Sequence, residues 1–136
     1  MAISKEIDLL QHYIDLEKLR YGDRLELDFS YSMDVSQVFI APLILISMVE
    51  NAFKHGVSSA MTSSVIKIDL QVKEGVLNFK VFNTKAKKKQ KDEMKYKKGI
   101  GVKNIQRQLE LIYPNQYQWE VKETDETYTA KLRLTL

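Results

Sequence analysis

The chain has 136 residues and no cysteine, which excludes disulfides, thiolate metal sites and cysteine nucleophiles, and its two histidines leave little for a histidine-rich metal centre. That length suits one domain, able to bury roughly two-thirds of the surface its unfolded form exposes. No apolar run approaches the roughly 20 residues a membrane-spanning helix needs, and the start lacks the basic-then-apolar pattern of a signal peptide. The net charge of +3 is lopsided: residues 85–98 hold eight lysines against Asp92 and Glu93, so this segment is +6 and the remainder −3. A nucleic-acid interface is disfavoured, because the only aromatic residue among these lysines is Tyr96; a solvated loop is the plainer reading.

In chain order, residues 4–21 predict a helix, with Ser4 as cap, Glu6 and Asp8 in the first turn, and Ile7, Leu10 and Ile14 flanked by Leu9, Tyr13 and Leu16. Its apolar face is wide, so it is expected to pack on something beyond its own domain or to continue upstream. His12 reads as a surface bystander. Tyr21-Gly22-Asp23 ends the helix. Residues 24–31 alternate Leu25, Leu27, Phe29 and Tyr31 with polar residues, predicting a strand with one buried face.

A buried helix of roughly four turns is expected over 42–56, with Pro42 in its first turn and Gly56 ending it. Its polar residues Ser47, Glu50, Asn51, Lys54 and His55 share one stripe. An asparagine carbonyl is a hard oxygen donor suited to magnesium, and a lysine three residues on offers charge to a phosphate, so the stripe suits a magnesium nucleotide; its plainer alternative is the solvated side of an amphipathic helix.

After a Ser/Thr-rich loop, Ile66, Ile68, Leu70 and Val72 alternate, Glu74-Gly75 turns, and Leu77, Phe79 and Val81 form the facing strand of a hairpin that ends near Asn83 at the lysine loop. Gly99-Ile100-Gly101-Val102-Lys103-Asn104 opens a further helix, with Val102, Ile105, Leu109 and Ile112 on one face and Pro114-Asn115 as its stop. Glycines at a helix start let backbone amides approach an anion. A second hairpin closes the chain: Tyr117, Trp119 and Val121 alternate, 124–127 turns, and Tyr128 to Leu136 alternate back. This order predicts an α/β two-layer sandwich, a mixed sheet with helices on one face.

Val49-Glu50-Asn51-Ala52-Phe53-Lys54-His55-Gly56 resembles the N box, and Lys98 to Leu109 followed by Ile112-Tyr113-Pro114 resembles the glycine box and following helix, of the ATP-binding domain of bacterial sensor histidine kinases, in particular the LytS/YehU type. Residues 13–24 are similar to the segment joining that family's dimerisation helices to the nucleotide domain. The resemblance covers essentially the whole chain and implies the Bergerat (GHKL ATPase) fold, with a mainly antiparallel mixed sheet. It implies that residues 1–23 are a linker helix after a dimerisation and phosphoacceptor segment absent here, and that 24–136 are the ATP-binding catalytic domain.

Carried over by position, Asn51 coordinates Mg2+, Lys54 contacts a phosphate, and His55 lies near the nucleotide. Lys98, Gly99, Ile100, Gly101, Val102 and Asn104 form the phosphate-side turn, residues 84–98 the ATP lid, and Glu50 is the candidate catalytic participant. Two departures stand out. The family's Asp-x-Gly-x-Gly box is replaced by Asn83-Thr84-Lys85, so Asn83 can accept from the adenine amino group without the charge. No phosphoacceptor motif is present, and neither His12 nor His55 fills that place. The implied function is presentation of Mg-ATP to a histidine on an upstream helix, with a LytTR-type response regulator as downstream partner, in a homodimeric parent protein of the bacterial inner membrane with this domain on the cytoplasmic side. The alternative is a degenerate regulatory domain of the same fold that binds nucleotide poorly.

Overall fold

A computed structural model describes residues 1–34, 38–56, 63–85 and 103–136. The first helix, α1 (Ile3–Tyr21), buries Ile3, Glu6, Ile7, Leu10 and Ile14, the three- and four-residue spacing of a single face. Ser4, the expected cap, lies inside it, and Ala2 stands at the N-cap without a side-chain bond. Tertiary pairing sets the start instead: Ile3 N–H donates to Val38 O at 2.8 Å and Ile40 N–H to Met1 O at 2.9 Å. Gly22 ends the helix at φ 61, a backbone region costly to any L side chain, and its N–H bonds Lys18 O. The wide apolar face divides in two, because Leu9, Leu16 and Leu19 are exposed.

Strand β1 (Leu25–Met33) pairs in parallel with β2 (Ser64–Lys73), Leu25 opposite Ser64. Parallel neighbours cannot be joined by a tight turn, and the connection between them carries helix α2 (Ile44–Gly56). Strand β3 (Val76–Thr84) returns antiparallel through a hairpin at Glu74 and Gly75, whose φ values of 52 and 76 are both in the left-handed region that two-residue hairpin turns favour. A helix through 103–112, α3, precedes β4 (Tyr117–Glu123) and β5 (Thr127–Thr135). The sheet order is β1-β2-β3-β5-β4, antiparallel except at β1–β2.

Ile66, Ile68, Leu70 and Val72 of β2, Leu77, Phe79 and Val81 of β3, and Ala130, Leu132 and Leu134 of β5 are buried under the helices, while Lys67, Asp69, Gln71, Lys80, Lys131 and Arg133 on the opposite face are exposed. This is the expected sandwich, one sheet face apolar and covered, the other polar and wet. The edges depart from expectation. On β1, Leu25, Leu27 and Phe29 are only half-buried and Tyr31 is exposed, because an edge strand has a neighbour on one side alone. On α3, Ile105 and Leu109 are buried but Ile112 is exposed; Tyr113, the next residue, turns inward and its hydroxyl accepts from Ala41 N–H at 2.8 Å.

Candidate functional site

Helix α2 begins at Ile44, two residues later than expected. Leu43 sits at φ 70, outside helical geometry, and its carbonyl accepts the first bond of the helix from Ser47 N–H at 3.0 Å. The Leu43 N–H donates to Glu6 Oε2 at 3.3 Å, so a fully buried carboxylate from α1 stands at the positive end of α2. Leu45, Met48, Val49, Ala52 and Phe53 bury the rest of the helix.

The expected polar stripe splits into separate roles. Ser47 donates its hydroxyl to Leu43 O at 2.7 Å, an internal bond that commits its one donor to its own helix. Glu50 and Lys54 are exposed, whereas Asn51 is only 9% exposed. Glu50 lies on the side toward α1: its charge, after burial and Glu17, helps raise the Tyr13 phenol far above its ordinary range, and the Tyr13 ring packs edge-on against Phe53 at 5.5 Å. Asn51 instead borders a narrow cleft, too tight to admit a water molecule, where Met48, Asn51 and Ala52 of α2 face Val81 and Asn83 of β3 and Tyr128 of β5.

Asn83 is fully buried at the end of this cleft. Its amide N–H donates to Thr84 O at 3.1 Å, which turns Oδ1 away; Oδ1 is buried and has no hydrogen-bond partner among the described residues. A buried acceptor left unpaired costs about 1–3 kcal/mol, so a donor from a ligand has something to repay there. Tyr128 pairs with Asn83 across the sheet, and its phenol is pushed up to about 12, first by burial and then by Glu123, with the nearby Asn51 amide acting weakly the other way.

Lys85 was expected to open the solvated lid, and the structure corrects this. Thr84 completes β3 and accepts from Val65 N–H at 2.9 Å, while Lys85 is buried, its ammonium bound to Glu123 and its N–H to Glu126 O at 2.9 Å. A cation with a four-carbon stem therefore fills the place where the family's box carries its first glycine. Its signal in the sequence was hidden by the seven lysines that follow. Asn104 is exposed in the first described turn of α3. Lys98, Gly99, Ile100, Gly101 and Val102, residues 86–98 of the expected lid, and the His55 side chain lie outside the described residues. Among the described residues no group of three or more Asp, Glu or His converges as a metal cage. The donor offered at the cleft is the neutral amide oxygen of Asn51, which fits magnesium, an ion that commonly keeps waters and substrate phosphate oxygens around one or two protein ligands.

No protein-family model matches the chain. It is similar to the sensor protein LytS of Staphylococcus epidermidis, 26% identical over 81 residues covering 60% of this chain and 14% of that protein. It is also similar to the sensor histidine kinase BtsS of Escherichia coli, 29% identical over 68 residues covering 50% and 12%. The chain thus matches only about one-seventh of the length of these relatives. Among solved structures it superposes on the histidine kinase domain of a blue-light activated kinase from Erythrobacter litoralis with a TM-score of 0.66 at 13% identity, covering 93% of this chain and 59% of that one. The catalytic domain of histidine kinase ThkA gives 0.62 at 14% identity, covering 99% and 92%. ThkA in complex with the response regulator TrrA gives 0.58 at 13% identity, covering 98% and 40%. The fold is the one these histidine-kinase catalytic domains share, the Bergerat sandwich, and over half or more of its length the sequence is similar to sensor kinases of the LytS type.

Proposed function

We propose that this domain holds ATP with magnesium at the cleft beneath α2 and presents its terminal phosphoryl group to a histidine on a helix outside the chain. The observation that carries this is the pairing, in one cleft, of Asn83 Oδ1, buried and unpaired among the described residues, with the nearly buried amide of Asn51. Asn83 accepts from the adenine amino group. Asn51 holds the cation through its carbonyl oxygen, and Lys54, one turn on and exposed, reaches a phosphate. His55, Lys98, Gly99, Ile100, Gly101, Val102 and Asn104 take the nucleotide-side places the family resemblance gives them. Magnesium, when bound, supplies neutralisation of phosphate charge.

Glu50 and Asn51 are adjacent in sequence but about 100° apart around the helix, so Glu50 looks toward α1 while Asn51 borders the cleft. On this reading the Glu50 carboxylate meets the incoming acceptor helix and not the base. Catalysis in such a domain is mainly positioning and charge neutralisation. The phosphohistidine then passes its group to a response regulator, of the LytTR type on sequence resemblance, and the parent protein is a membrane-anchored homodimer with this domain in the cytoplasm. Among the described residues no helix is long and apolar enough to cross a membrane.

A second reading, a regulatory domain of the same fold with poor nucleotide binding, is favoured by the narrowness of the cleft, which is too tight to admit a water molecule, and by the neutral Asn83. Calorimetric titration with a non-hydrolysable ATP analogue separates the two. Magnesium-dependent binding with a Kd on the order of 10 μM to 1 mM, about −4 to −7 kcal/mol, supports the kinase reading; folded protein that takes up no nucleotide at millimolar concentration supports the second. The chain alone is expected not to label itself from γ-labelled ATP, and to do so on an added histidine-bearing helix.

A further inference from the structure

Helix α1 carries two apolar faces, and the fold uses one of them. Ile3, Ile7, Leu10 and Ile14 are buried against the domain, whereas Leu9, Leu16 and Leu19 are 38%, 66% and 82% exposed. At 100° per residue these three leucines and His12 fall within a band about 80° wide, on nearly the opposite side of the helix from the buried face. Exposed leucines scattered singly need no explanation. The spacing of these does: positions 9, 12, 16 and 19 advance by three, four and three, the alternation of a and d in a heptad, and Ala2 and Lys5 continue the same register to the start of the helix. The domain does not need these positions, because α1 is already anchored through its other side.

A heptad seam fits another helix, each a and d side chain entering a gap between four residues of its partner, and the charges beside the seam select which helix. In this register Asp8 and Asp15 take the g positions, and Tyr13 and Arg20 the e positions. Two copies of α1 lying parallel set Asp15 of each against Arg20 of the other, g against the following e, while Asp8 meets the uncharged Tyr13. Antiparallel pairing sets g against g, acid on acid. Both members of the attractive pair are open to it. The Arg20 side chain is 70% exposed, held only by a loose 3.9 Å approach to Glu17 and a position 5.4 Å over the Tyr21 ring. Asp15 accepts from the Gln11 amide at 2.9 Å through Oδ1, which leaves Oδ2 for a second donor.

We infer that the outer face of α1 is a docking surface for α1 of a second copy of this chain, the two forming a short parallel coiled coil with Leu9, Leu16 and Leu19 in the seam and His12 as the polar layer among them. Because the seam and the buried face point apart, the bulk of each domain lies away from the partner helix. The surface is separate from the cleft beneath α2 and from any dimerisation helices upstream, and it does not rest on nucleotide binding. Leu9 to Leu19 spans only about 15 Å of helix. A contact of that length falls short of the roughly 1,200–2,000 Å² that stable complexes bury, so the pairing is weak, with a Kd on the order of 10 μM to 1 mM.

The test is the association state of the 136-residue chain by analytical sedimentation over about 10 μM to 1 mM. The wild type should dimerise reversibly. Leu16→Glu, at a position two-thirds exposed in the single copy, should keep the unfolding midpoint measured at low concentration and stay monomeric throughout. His12→Leu removes the polar layer and should tighten the dimer about three- to tenfold. Arg20→Glu should loosen it, and adding Asp15→Arg should restore it, since the pair then attracts with its signs exchanged. The chain has no cysteine, so Leu19→Cys introduces a unique thiol that mild oxidation should join to its twin across a parallel seam. A wild type that stays monomeric through about 1 mM overturns the inference, whether some other helix covers the seam or none does. A dimer that survives Leu16→Glu overturns it by placing the interface elsewhere. Failure of both the charge exchange and the Leu19→Cys bridge overturns the parallel pairing. Should Leu16→Glu not fold, Leu19→Glu, at the most exposed of the three leucines, decides in its place.

Discussion

Asn83→Leu separates a ligand role from a structural one, because the two predict opposite balances between stability and binding. Leucine shares asparagine's branch at Cγ and suits a fully buried position, but its two methyl groups are larger than the amide atoms they replace. The substitution removes the 3.1 Å bond from the amide to Thr84 O, worth about 1 kcal/mol, and leaves that carbonyl to find another donor. It also removes the buried Oδ1, whose unpaired state among the described residues costs about 1–3 kcal/mol. These two terms oppose one another and overpacking adds about 1–3 kcal/mol, so the ligand-free protein should lose no more than about 3 kcal/mol in urea unfolding. Nucleotide binding has no such compensation: losing the acceptor for the adenine amino group leaves a donor buried against methyl groups, for about 1–3 kcal/mol, or roughly 5- to 150-fold in Kd. Calorimetry with the adenine analogue and with its inosine counterpart, which lacks that amino group, completes the assay. The wild type should prefer adenine and the variant should not. A variant that binds the adenine analogue as the wild type does, or a wild type that does not discriminate, would show that Asn83 merely ends a strand.

The Lys85–Glu123 pair is unequal, with Lys85 buried and the Glu123 side chain one-third exposed, so Glu123→Gln strands a buried charge and should cost about 3 kcal/mol or more, while Lys85→Met should cost clearly less; equal costs by urea unfolding would contradict the asymmetry. Tyr128 is raised from 10.0 to about 12 in the fold, so the stability it lends is complete below about pH 10 and disappears as pH rises through about 12; the pH-dependence of urea midpoints in this window should be shallower in Tyr128→Phe, with the remaining slope including Tyr13, whose phenol is also raised. Leu43 holds a left-handed backbone and is exposed, so Leu43→Gly should stabilise by up to about 1 kcal/mol in thermal or urea unfolding, and destabilisation would mean that its side chain packs more than its exposure suggests.

Alternation and helical spacing determine which side of each element is apolar, and this depends on residues a few positions apart. Hence the strands over Ile66–Val72 and Val76–Val81, the buried faces of Ile7, Leu10 and Ile14 and of Ile105 and Leu109, and the turn at Glu74-Gly75 were legible without coordinates. Asn51 was singled out for a different reason, a run of residue types long enough to resemble a known motif, and Asn83 as a departure from that family's Asp-x-Gly-x-Gly box; that the two border one cleft is a fact of the tertiary structure. What the sequence could not determine is set by partners far along the chain. The start of α1 depends on strand-like pairing with residues 38–40, and the start of α2 on a carboxylate 37 residues earlier, so neither local cap signal placed them. The division of the α2 stripe into Ser47 bonded to its own backbone, Glu50 facing α1 and Asn51 facing the cleft depends on what packs against each flank. Lys85 is the sharpest case: in sequence it is the first lysine of a basic run, and only the return of the β4–β5 hairpin, bringing Glu123 beside it, makes it a buried ion pair, because burying a charge is decided by the partner and not by the residue.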